Sequence, residues 1–166
     1  SDADKDQLWV TVESRAAGEE WQQLAALPAD KKSYKWDTTK GADGTYDLRL
    51  TASDEPSNPG AAATREVLLR ALVVDNAKPG LQIAQTTAQD GSLQIAGTAT
   101  DNHRVVEVAY QQAEQWYGVA ASDSQYDSTQ EAFSFSVPLE GDRGQVKLQV
   151  RDAAGNTYSQ TVKWPQ

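Results

Sequence analysis

Tyr46-Asp47-Leu48-Arg49-Leu50, leading on to Asp54 and Asn58, is echoed later in the chain by Val146-Lys147-Leu148-Gln149-Val150, leading on to Asp152 and Asn156. A Trp-led run precedes each copy: Trp21-Gln22-Gln23-Leu24 before the first, Trp116-Tyr117-Gly118-Val119 before the second. Within both copies every second side chain is apolar. A period of two describes an extended chain with one face buried and the other wet, as in antiparallel sheets. The repeat therefore predicts an all-β chain built as two small β-sandwiches in tandem.

The same period runs outward from these stretches. Leu8-Val10-Val12, Val106-Val108-Tyr110 and Phe133-Phe135-Val137 all place apolar groups on one face. Asp43-Gly44, Asp90-Gly91 and Gly155-Asn156 are turn dipeptides, and Pro56, Asn58, Pro59 and Gly60 mark a long loop. Helical readings of Glu19–Ala26 and Glu66–Ala71 fit less well than strands or a short loop. The second half resolves into seven predicted strands, near 81–87, 92–99, 105–112, 116–121, 131–138, 145–151 and 157–164. The first half resolves into five, near 7–14, 20–25, 33–37, 45–53 and 65–75. Lys78-Pro79-Gly80 breaks the chain between apolar runs. The expected domains are thus 1–77, a linker at 78–80, and 81–166. Aligning the copies sets Leu8–Val12 against Val106–Tyr110, the third strand of the second domain. The first domain is therefore expected to lack its first two strands.

Composition narrows function. The chain has 166 residues, 39% hydrophobic and 23% charged, with a net charge of −9. No Lys/Arg cluster interrupts the acidity, which argues against nucleic acid and anionic membrane as ligands, because both need a positive patch. Cations, sugars and basic proteins remain as ligand classes. There is no Cys and one His, His103, so disulfides, thiolate metal sites and a multi-His zinc site within one chain are excluded. No stretch approaches the ~20 apolar residues of a transmembrane helix, so no membrane insertion is expected. The start, Ser1-Asp2-Ala3-Asp4, is neither a signal peptide nor an initiator Met, and the chain reads as a fragment of something longer.

Trp36-Asp37-Thr38-Thr39, Asp43-Gly44-Thr45-Tyr46, Ala52-Ser53-Asp54-Glu55-Pro56-Ser57-Asn58-Pro59 and Val73-Val74-Asp75-Asn76 resemble the bacterial Ig-like or fibronectin type III-like modules of large secreted proteins. Such modules often sit C-terminal to a β-propeller. Arg151-Asp152-Ala153-Ala154-Gly155-Asn156 is similar to the closing motif of many bacterial Ig-like repeats. The resemblance implies two tandem Ig-like sandwiches and a secreted, periplasmic or cell-surface location. It also implies a non-catalytic role in spacing, docking or adhesion, with neighbouring domains of the parent protein as partners. The alternative it leaves is a carbohydrate- or protein-binding module appended to a secreted enzyme. Tyr46, after Asp-Gly, suits a tyrosine corner, whose hydroxyl bonds nearby backbone; Val146 in the second copy cannot make that bond.

Candidate ligand sites follow from oxygen-bearing side chains. Asp43, Asp75 and Asn76 are expected at one pole of the first domain, and Asp101, Asn102, Asp152 and Asn156 at the facing pole of the second. Calcium is the cation such a set would hold, set against the alternative that Asp and Asn cap turns through local backbone. Asp2, Asp4, Asp6 and Glu13 have the spacing of a calcium loop, but Gln7 stands where Gly is needed and a strand follows. Trp9 shares a face with Thr11 and Glu13, opposite the apolar face, and is the candidate sugar platform. His103 lies beside Asp101 and Asn102 without a Ser or Cys partner. No catalytic residue and no resident cofactor is expected.

Overall fold

The computed structural model describes residues 6–139 and 144–164. The chain divides into two compact units, Ser1–Asp75 and Asn76–Gln166. All sheets are antiparallel. The Asp2 and Asp4 of the calcium-loop spacing lie outside the described residues.

Among its described residues the first unit is a single sheet. Strands β1 (Trp9–Ala16), β2 (Gln22–Pro28), β3 (Gly44–Ser53) and β4 (Thr64–Val74) lie in the order β2-β1-β3-β4. The register places Ala25, Val12, Leu50 and Val67 in one row across the sheet, with Leu48 and Leu69 in the next. Directly opposed residues share a face, so this face is apolar. The run 33–37, expected as a strand, joins no ladder. It is followed by a short 3-10 turn at Thr38–Lys40, where the Asp37 side chain accepts the Thr39 N–H. Tyr34 and Trp36 from this run line the apolar side of the sheet. The Tyr46 hydroxyl donates to the Ala42 carbonyl at 2.8 Å, the backbone bond expected of a tyrosine corner, and Trp36 meets its ring edge-on. A bulge interrupts the β3–β4 ladder: Tyr46 faces Leu72 and Leu48 faces Leu69. Ala71 there takes φ 57°, and the Asp47 carboxylate accepts its N–H.

The other face carries charge. Arg49 makes a two-pronged pair with Glu13, at 2.7 and 2.9 Å, and Arg15 pairs with Asp47 at 3.0 Å. Both guanidiniums lie over the Trp21 ring, 4.4 and 4.5 Å from its centre. The Arg49 hydrogen bond holds the Glu13 carboxyl below its ordinary value of 4.5, and the Arg15 hydrogen bond, helped by the Ala71 N–H, holds Asp47 below 3.8. A carboxyl depressed in the folded chain stabilises it above the unfolded value and loses that contribution as pH falls through the folded one. Lowering the pH from neutrality to below about 4 will therefore lower the urea midpoint of the first unit. Glu13→Gln will flatten that dependence; an unchanged acid slope in this variant would show that the pair contributes nothing.

The second unit has seven strands among its described residues: β5 (Gly80–Gln89), β6 (Ser92–Thr100), β7 (Val105–Gln112), β8 (Gln115–Val119), β9 (Gln130–Pro138), β10 (Gly144–Asp152) and β11 (Thr157–Trp164). They form two sheets, ordered β11-β10-β7-β8 and β5-β6-β9. The inward residues of both meet in one core, which includes Leu93, Ile95, Val108, Phe133, Leu148 and Val150. This two-layer packing is consistent with a β-sandwich. Asp90-Gly91 closes the β5–β6 hairpin with φ 52° and 74°, the two positive values a two-residue primed turn requires.

The two units share a topology over four strands. The order β2-β1-β3-β4 repeats as β8-β7-β10-β11, and Val12 opposite Leu50 repeats as Val108 opposite Val150. In the second unit β5, β6 and β9 form a further sheet; no further sheet accompanies the first among the described residues.

Candidate metal centre

Two chain reversals in the second unit bring acidic side chains together. Strand β6 ends at Thr100 and β10 ends at Asp152, which stands opposite Val105 at the start of β7. The loops after them are stitched by the Ala153 N–H, which donates to the Arg104 carbonyl at 3.0 Å. Gly80, the first residue of β5, pairs with Thr100.

Each loop uses one oxygen of its carboxylate. Asp101 Oδ1 accepts the N–H groups of His103 and Arg104, at 2.9 and 2.8 Å. Asp152 Oδ1 accepts the Asn156 N–H at 2.8 Å. Both are local turn bonds of the kind Asp makes to following backbone. The second oxygens differ: Asp101 Oδ2 and Asp152 Oδ2 are buried and accept no hydrogen bond. Asp152 is wholly buried. Within the second unit, one carboxylate oxygen of Asp101 lies within 4.8 Å of one of Asp152.

Of the four residues expected at the pole of the second unit, the structure brings the carboxylates of Asp101 and Asp152 together; Asp75 follows β4 in the first unit and Asn76 opens the second. Asn156 joins through its backbone N–H to Asp152. Asn102 is exposed in the loop after β6, and Asp43 is exposed in the turn before β3 of the first unit. His103 is exposed, and its backbone rather than its ring touches Asp101. An all-oxygen, all-carboxylate set suits hard cations and offers no soft ligand.

The aromatic residues are placed differently. Trp9 stands exposed at the start of β1, in the row of Ser53 and Pro28. Trp21 lies under two Arg, Trp36 on Tyr46, and Trp116 under Lys147 at 5.7 Å. Tyr110 stacks between Tyr117 and Phe135.

The first unit holds a second feature. A groove of about 390 Å³ opens on its apolar face, floored by Val10, Val12, Leu48 and Leu50 and flanked by Tyr34 and Trp36. On the edge strand β4 that face is open, with Val67 53% and Leu69 46% exposed. The sequence reading expected the first domain to lack two strands and located no groove. The signal was present in Val67 and Leu69, which extend the apolar rows to an edge. No family model matches the chain, and neither a curated protein nor a solved structure matches it.

Proposed function

We propose that this chain is a tandem pair of immunoglobulin-like β-sandwiches, the first incomplete, acting as a non-catalytic docking and spacing module of a larger extracellular bacterial protein. The observation that carries this reading is the shared strand order. Sheet β8-β7-β10-β11 has β5, β6 and β9 over its apolar face, while sheet β2-β1-β3-β4 has the same apolar rows and no such layer among the described residues. A face of this kind is a site for added β-structure. Its occupant is a pair of strands from a neighbouring segment of the larger protein, laid over Val12 and Leu50. The closed second unit supplies a rigid spacer. Secretion and a bacterial source rest on the sequence resemblance alone.

The groove is tested with the dye 8-anilinonaphthalene-1-sulfonate, whose fluorescence rises on apolar surface. The full chain is expected to raise it several-fold and saturably, and Leu50→Lys to abolish the rise while the circular dichroism spectrum is kept. No dye binding by the native chain would refute an open face. Sedimentation velocity decides the occupant: a dimer dispersed by Leu50→Lys would assign the face to a second copy and overturn docking of a neighbouring segment.

A further inference from the structure

We infer that the segment received by the apolar groove of the first unit is acidic: an extended peptide whose carboxylates meet Lys31 and Lys32 while its apolar side chains cover Val12 and Leu50. This rests on the open face proposed above and adds the charge of its occupant. The groove is lined by aliphatic and aromatic side chains, interrupted by Lys31, Lys32 and Ser33. No carboxylate is in that lining, although the chain carries a net charge of −9. Asp30, the residue before the two lysines, is exposed and lies outside the lining.

Both lysines are exposed, and neither enters an ion pair among the described residues. Other cations of this unit are already engaged: Arg15 and Arg70 with Asp47, and Arg49 with Glu13. Arg65 adds an exposed cation on the groove side. It stands opposite Ala52 on β4, two residues before Val67, and so shares the face of Val67 and Leu50. An apolar floor with unpaired cations at its rim selects a partner that is apolar on one side and anionic beside it. An extended peptide fits better than an acyl chain. Sites for small ligands enclose most of the ligand surface, whereas this groove opens on β4 with Val67 and Leu69 about half exposed. The same edge strand offers backbone groups along Thr64–Val74 to a further strand.

The test uses the full chain and two dyes with the same aromatic rings: anionic 8-anilinonaphthalene-1-sulfonate and neutral N-phenyl-1-naphthylamine. At low salt the anionic dye is expected to bind about fivefold more tightly, as two exposed ion pairs allow. About 0.5 M sodium chloride should shrink that preference. Lys31→Gln combined with Lys32→Gln should bring the ratio of the two affinities close to one. Neither dye binding the native chain would remove the open face itself. Both dyes binding equally, or an unchanged ratio in the double variant, would leave the open face standing and overturn the charge selection. Competition then identifies the occupant. A peptide of about ten residues, one strand in length, alternating Val and Glu should displace the neutral dye, and its counterpart alternating Val and Lys should not. Equal displacement by both peptides, or displacement by decanoate alone, overturns the inference.

Discussion

Phe133→Ala will destabilise the second unit by about 3–5 kcal/mol, the range for removing an aromatic ring from a packed core. Phe133 is 1% exposed and lies on β9 directly opposite Gly97 of β6. Its ring occupies space that Gly97 leaves: a methyl group on Gly97 would come within 2.9 Å of the ring tip and clash with the Gln82 carbonyl. The backbones of β5, β6 and β9 are thus drawn together around this side chain, and its loss leaves a cavity that the sheet cannot close by sliding. For a unit of this size each kcal/mol shifts the melting temperature by roughly 4–8 °C, so a fall of at least ~12 °C is expected by differential scanning calorimetry. Phe133→Leu, which keeps most of the volume, should cost much less. A loss below about 1 kcal/mol in Phe133→Ala would mean that the two sheets are not joined through this ring.

The rows that surround Phe133 were legible because burial follows the period of two. Val146, Leu148 and Val150 are buried at 2%, 0% and 0%, and the alternating polar residues face outward. Asp90-Gly91 announces its turn by residue type alone. The β7–β8 turn does not: Ala113 and Glu114 hold φ 48° and 65°, values neither residue favours, because the flanking ladder from Val108–Val119 to Gln112–Gln115 dictates them. The bulge at Ala71 is hidden for the same reason. The run 33–37 misled because Tyr34 and Trp36 alternate as they would in a strand, yet they wall the groove without a backbone partner. At the acidic cluster, residue types pointed both to turn capping and to a cation. Turn capping takes one oxygen of each of Asp101 and Asp152 and leaves the other without a donor, a distinction that sequence does not carry.

Leu148→Ala and Leu48→Ala will differ in cost although the two residues hold equivalent places. Val12 opposite Leu50 corresponds to Val108 opposite Val150, so Leu48 of β3 and Leu148 of β10 fall two residues before the matched pair. Leu148 is fully buried between Tyr110 and Gln160 of the flanking strands, under the layer that carries Leu93 and Ile95. Its truncation should cost about 2–5 kcal/mol, because the cavity is enclosed on all sides. Leu48 is half-buried and lines the groove beside Leu69, so truncation widens an opening and makes no closed cavity. The expected cost is about 1 kcal/mol, since only part of the side chain leaves water on folding. Chemical denaturation of both variants, followed by the fluorescence of Trp21 and Trp36 for the first unit and Trp116 and Trp164 for the second, measures the difference. Equal costs would mean that the apolar rows of the first unit are enclosed in solution as fully as those of the second. A docking function would then lose its surface. A gap of twofold or more places the missing energy where a second layer of strands would recover it.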